Sequence, residues 1–144
     1  MGGLEAAPGR RRASSGSPWE PVIGFSRAVR VGNRVVVAGT GPVWPDGTCD
    51  PDSAMQAARC LEIIATALGN LGASLDDVVR TRLLLADVVY AEAVGRVHAA
   101  TFGASPPAAT MVVVGLLDPR WKLEIEAEAD LGPDPTPPVA SDGA

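Results

Sequence analysis

Residues 122–129 read KLEIEAEA, a strict alternation. Leu123, Ile125, Ala127 and Ala129 fall on one side of an extended chain, and Lys122, Glu124, Glu126 and Glu128 on the other. A period of two predicts a strand with one face on a core and one face carrying charge. Residues 78–87 (VVRTRLLLAD) are also rich in β-formers. They put Arg80, Arg82 and Leu84 on one face and Thr81, Leu83 and Leu85 on the other. If both strands lie in one sheet, the guanidiniums and carboxylates share the face away from the core and pair across strands.

The rest of the chain supplies the other elements. Residues 28–38 (AVRVGNRVVVA) hold two strand runs around Gly32-Asn33, a hairpin signal. Residues 40–49 carry Gly41, Pro42, Pro45 and Asp46-Gly47 and read as a loop. Asp52 or Ser53 can cap a helix that continues through Ala54, Ala58, Leu61, Ile64, Ala65, Leu68 and Leu71 and stops at Gly72. Residues 90–102 return to helical spacing through Val94, Val97 and Thr101, and Ser105-Pro106-Pro107 breaks the chain. Residues 110–117 predict a further strand. The order β-β, helix, β, helix, β-β predicts an α+β fold with both helices on one face of a sheet. Something must then cover the other face, which points to an oligomer.

The chain has 144 residues, 47% of them apolar and 20% charged, which suits one folded domain. Residues 22–131 form that domain. Residues 1–21 and 132–144 are rich in Gly, Pro, Ser and Ala and are expected to be mobile tails. The net charge of −5 argues against nucleic acid as a partner. Eleven of the twelve basic residues are Arg, and the Arg10-Arg11-Arg12 run is too short to offset that balance. Two cysteines, Cys49 and Cys60, make no disulfide framework, and with one histidine a structural zinc site is not expected. No run reaches the length of a membrane span, and no apolar segment follows the arginines to make a secretory signal. A cytoplasmic location is the expectation.

Four segments in order, GFSRAVRVGNRVVVAGTGPV, AARCLEIIATALGNLGASLDDVVRTRLLLADV, PPAATMVVV and KLEIEAEA, resemble the Rid (YjgF-like) family of reactive-intermediate deaminases. The resemblance runs over residues 24–129, and residues 15–21 (SGSPWEP) are similar to the start of one branch. It implies a chorismate-mutase-like fold: a mixed sheet with two helices on one face, three subunits joined around a central barrel, and ligand clefts between subunits. It also implies a cofactor-free and metal-free hydrolysis of 2-enamines and 2-imines to 2-keto acids and ammonia. In the family an Arg holds the substrate carboxylate within a Pro-Ala-Arg-Ser motif. Here that motif is Pro107-Ala108-Ala109-Thr110, so the Arg is replaced by Ala109. The family's Tyr falls on Phe25, its Ser-Gly-Gln run on Ala38-Gly39-Thr40, its helix Asn on Gly95 and its Cys on Met111. Its Glu is retained as Glu124.

Each candidate has two readings. Glu124 can polarise a water or accept a proton, or serve as an ion-pair carboxylate. His98, the single histidine, can act as acid or base, or simply pack on its helix. Arg82 can stand in as carboxylate anchor, or pair with Glu126. Phe25 and Met111 can make the pocket apolar, or fill a core. Gly39, Thr40 and Thr110 fall on the family's site runs, which this chain alters, and the two hydroxyls can bond a ligand or serve only the fold. Trp44 and Trp121 can wall a cleft or only pack. No charged neighbour in sequence activates either cysteine. Taken together, these residues predict a small-molecule hydrolase acting on a C=N bond, with weak activity on ordinary 2-iminoacids. A trimer that binds a metabolite without turnover is the alternative, and a ribonuclease or translation inhibitor is a remoter one.

Overall fold

The computed structural model describes residues 9–133. Six strands form one sheet: β1 (Arg10–Ala13), β2 (Ala28–Val31), β3 (Arg34–Thr40), β4 (Val78–Leu85), β5 (Ala108–Val113) and β6 (Leu123–Asp130). Their order across the sheet is β1-β2-β3-β6-β4-β5, and only the β4–β5 pairing is parallel. Two helices, α1 (Ser53–Asn70) and α2 (Ala91–Phe102), complete the α+β architecture expected from the sequence.

The alternating strand occupies the middle. On β6, Leu123, Ile125, Ala127 and Ala129 are buried, while Glu124, Glu126 and Glu128 stay partly exposed. Strand β4 follows the same rule, with Thr81, Leu83 and Leu85 buried. In register, Arg80 lies opposite Glu128 and Arg82 opposite Glu126. The expected cross-strand pairing is present for Arg82, which reaches Glu126 at 3.9 Å; Arg80 makes no ion pair among the described residues, and it is Arg34 of β3 that reaches Glu128, at 3.3 Å. Among the described residues no second layer covers this charged face. No helix here is long and apolar enough to cross a membrane.

Helix α1 starts where its cap predicts. The Asp52 carboxylate accepts from the Met55 N–H at 3.0 Å, satisfying one of the free donors of the first turn. Cys60, Leu61, Ile64 and Leu68 then face the sheet. At the other end, Arg30 Nη1 donates to the Leu71 carbonyl at 2.7 Å and Arg11 Nη2 to the Asn70 carbonyl at 3.3 Å. Two cations thus meet the negative end of the helix dipole. Gly72 turns the chain away at φ +81°, and a side chain there would collide with Arg30.

Two expectations need correction. The N-terminal tail does not extend to residue 21, because Arg10–Ala13 pair with β2 as an edge strand. Three consecutive arginines carry no apolar alternation, so nothing in the sequence marked them as a strand. What holds them is backbone pairing, with Arg11 reaching the end of α1. The strand expected over 110–117 is Ala108–Val113 instead, since Pro106-Pro107 releases the chain earlier and Gly115 follows. The expected C-terminal tail, apart from its first two residues, lies outside the described residues, as do residues 1–8.

One buried polar side chain fastens the loops to this frame. Gln56 on α1 is fully buried; its Nε2 donates to the Asp50 carbonyl at 2.7 Å and the Arg120 carbonyl at 3.0 Å. Its Oε1 accepts from the Lys122 N–H at 2.8 Å. This amide sets where β6 begins. Gln56→Leu keeps the volume but strands three backbone groups away from water, and we expect it to cost about 2–4 kcal/mol in urea unfolding. A loss below roughly 0.5 kcal/mol would show that water or the loops replace those bonds.

Candidate functional site

The irregular end of β3 builds the site. The β3–β6 register shifts by one residue between Val37 and Thr40, so Ala38 and Gly39 form a bulge. The bulge turns Thr40 toward the core, opposite Ile125, and lays Gly39 against Glu124. A Cβ at Gly39 would stand 3.2 Å from Glu124 Oε1, so the glycine makes room for the carboxylate.

Arg27 lies just before β2 and is only 6% exposed. Its Nη1 donates to the Gly39 carbonyl at 2.7 Å and to Thr40 Oγ1 at 3.2 Å, and its Nε donates to Ser15 Oγ at 2.9 Å. The Phe25 ring lies 5.3 Å from the guanidinium carbon, within cation–π range. Burial pulls the Arg27 pKa down, while the charges of Glu20 and Glu124 push it up.

The strap that carries Ser15 closes on Glu20. One oxygen of that carboxylate accepts from Ser15 N–H (3.1 Å), Ser15 Oγ (2.9 Å) and Ser17 N–H (3.1 Å). Burial alone would raise the Glu20 pKa, but the Ser14 and Ser15 hydroxyls and these backbone donors bring it below the ordinary value. The single π turn Glu20–Gly24 that follows holds Ile23 beside Phe25.

Arg27, Gly39 and Glu124 border a cavity of about 650 Å³ whose walls are Trp19, Ile23, Phe25, Leu117 and Trp121. Trp121 lies flat on Gly41, where any Cβ would come within 2.8 Å of the indole. Glu124 is the unpaired acid here. Burial is the main cause that raises its pKa, Glu126 adds to the rise, and Arg27 opposes it. No ion pair joins Arg27 to Glu124 among the described residues. A cation and an anion therefore face one cavity with room between them.

Four of the residues singled out from sequence, Phe25, Gly39, Trp121 and Glu124, line this cavity. Thr40 is buried behind it, accepting from Arg27 and donating to the Ala38 carbonyl at 2.8 Å. Arg82 lies outside it on the charged face, beside Glu126. Ala109, Thr110 and Met111 sit on the edge strand β5, exposed and outside the cavity of their own chain. His98 is on the helix side of the sheet, where Nε2 meets Thr81 Oγ1 at 2.8 Å and the ring packs on Phe102. Burial lowers its pKa. Glu124 points to the opposite side, so the sheet separates these two candidates and His98 does not reach the cavity. Trp121 walls the cavity; Trp44 packs on Arg59 over a neighbouring hollow. Cys60 is buried, and burial pushes its thiol pKa up, as suits an inert cysteine.

Arg27 was not among the residues expected from sequence. Its signal is a lone charge in residues 22–29 (VIGFSRAV), an otherwise apolar or small segment. Trp19, Ile23 and Leu117 were also missed, because loop residues acquire a shared wall only through the fold.

Comparisons with known proteins place the chain in a family. Residues 16–131 match the family model described as Endoribonuclease L-PSP. An uncharacterised protein of Streptomyces coelicolor is 40% identical over 126 residues, covering 85% of this chain and 92% of that one. The 3-aminoacrylate deaminase RutC of Acinetobacter baylyi is 34% identical over 111 residues, covering 76% of this chain and 88% of that one. The crystal structure of Rv2704 from Mycobacterium tuberculosis, a member of the YjgF/YER057c/UK114 family, superimposes with a TM-score of 0.78 at 45% identity, covering 85% of this chain and 99% of that one. A family-model match over residues 16–131, together with relatives above 30% identity over three quarters or more of the chain, makes this chain a member of the YjgF/RidA/RutC family.

Proposed function

We propose that this protein hydrolyses a C=N bond, in an imine, an enamine tautomer or a related reactive metabolite, within clefts between the subunits of a homotrimer. The observation that carries the reading is Glu124: a half-buried carboxylate without an ion-pair partner among the described residues, lining a largely apolar cavity. Such a carboxylate is more basic than one in water, which suits it to take a proton from an attacking water. Water adds to the imine carbon, the proton passes through Glu124 to nitrogen, and the C–N bond breaks to give a carbonyl and ammonia. The deaminase named among the relatives supports this class of reaction.

The trimer reading rests on surface that one chain leaves bare. The charged side of the sheet has no covering layer among the described residues, and Met111, Val112 and Val113 are exposed on β5. In such an assembly β5 of one subunit would border the cavity of the next. Light scattering is expected to give three times the 14.7 kDa of one chain. A mass near that of one chain would rule out inter-subunit clefts.

Glu124→Gln should lower kcat/KM on the imine substrate by about 10²–10⁴-fold while leaving the assembly intact. The pH dependence has a definite sign. Only ionised Glu124 accepts a proton, so the wild-type rate falls as pH drops through a pKa above the ordinary 4.5. The variant should lack that acid limb. An unchanged rate in Glu124→Gln removes Glu124 from the mechanism.

With Ala109 where the family holds its Arg, ordinary 2-iminoacids should turn over slowly. Ala109→Arg should raise their kcat/KM by roughly tenfold or more, the worth of one charge-assisted pair of bonds. No gain in a coupled 2-keto acid assay would show that β5 does not border the working cleft.

A further inference from the structure

We infer that Arg27 is the substrate anchor of this cavity and that it selects an uncharged substrate, one whose C=N carbon is bonded to a carbonyl carbon and carries an apolar group of aromatic size. The inference rests on the reading that this cavity is the substrate site. It names what that site takes.

The guanidinium has little left to offer. Nε is committed to Ser15 Oγ, and Nη1 to both the Gly39 carbonyl and Thr40 Oγ1. Nη2 is the nitrogen without a partner among the described residues. Carboxylates are recognised by two parallel N–H groups from two different guanidinium nitrogens. Each pair that could form that fork includes a nitrogen already in use. One free nitrogen suits a single acceptor, which is what a ketone, amide or ester carbonyl presents.

Charge argues the same way. Glu124 faces the same cavity as Arg27 and approximately balances it. A carboxylate brought to Arg27 would meet the Glu124 charge within a partly dry space, where repulsion is weakly screened. A carbonyl oxygen meets no such penalty. The walls then ask for an apolar body: Trp19, Ile23 and Leu117 line the cavity and are 58%, 63% and 93% exposed in the single chain. A phenyl or branched alkyl group would cover them.

The reaction on such a substrate balances without a co-reactant other than water. R–C(=NH)–C(=O)–R′ and H₂O give R–C(=O)–C(=O)–R′ and NH₃. The C–N bond breaks, a C=O bond forms at the same carbon, and both water protons end on nitrogen. The neighbouring carbonyl accepts from Arg27 Nη2 throughout and stays intact.

Two stable probes test this by calorimetric titration of the full chain: 2-oxo-3-phenylpropanamide and phenylpyruvate. They share the ring and the keto group and differ in an amide against a carboxylate. The amide is expected to bind at least about tenfold more tightly, the worth of one hydrogen bond to a charged donor. Arg27→Gln and Arg27→Lys should each erase most of that preference. Arg27 also ties Ser15 to Gly39, so both variants are first checked for an unchanged circular dichroism spectrum. The wild-type comparison needs no variant at all. Tighter binding of phenylpyruvate, equal binding of the two, no binding of either, or an amide affinity unmoved in a folded Arg27 variant would each overturn the inference. Binding requires no turnover, so a failure of the hydrolase reading appears separately, as an unaltered rate in Glu124→Gln.

Discussion

The structure depends on the alternation in β6. A strand between β3 and β4 can bury Leu123, Ile125, Ala127 and Ala129 only by sending Glu124, Glu126 and Glu128 to the other face. Register then decides what each carboxylate meets. Glu126 lies opposite Arg82, and Glu128 lies between Arg80 on β4 and Arg34, which reaches it from β3. Glu124 lies opposite Leu84. The acid without a cation across the strand is the one at the cavity; a slip of two residues, which keeps the faces, would set Glu124 opposite Arg82 instead.

The β3 bulge turns that accident of register into a site. It gives Gly39 rather than a larger residue beside Glu124, and it turns a carbonyl toward Arg27. Arg27 in turn holds Ser15, and Glu20 gathers the rest of the strap. A buried arginine is costly unless its donors are met, and three acceptors in the fold meet most of them. The strap, the bulge and the strand end are thus tied through one guanidinium. That tie also fixes which of its N–H groups remain for a ligand.

Much of the fold was readable from the residues. The β6 and β4 alternations, the Gly32-Asn33 hairpin, the Asp52 cap and the Gly72 stop all hold. They hold because each is a local rule of spacing or backbone freedom. The site was half readable. Phe25, Gly39 and Glu124 line one cavity, whereas no residue periodicity marks Arg27 or β1. Pairing at a sheet edge and burial of a lone cation leave no periodic trace. His98 shows the opposite case. It lies one helical turn after Val94, which is fully buried, so helical spacing already put it on the packed side of α2.

The charged face poses a last physical question. On an open surface, ion pairs such as Arg82–Glu126 and Arg34–Glu128 contribute little, because water screens them and both long side chains lose freedom. They do not explain the stability of one chain. Their alternation matters when the face is covered, since a buried charge is tolerable only with its partner in place. Arg80 is already in that position: its Nε is buried with no acceptor among the described residues. A monomer leaves that donor unsatisfied and the apolar part of β5 wet. Contact with another copy of the same chain would bring further carboxylates and carbonyls to this face. The arrangement of opposite charges therefore makes physical sense as the lining of an interface, and the cavity at its upper edge as a space that such an interface would close.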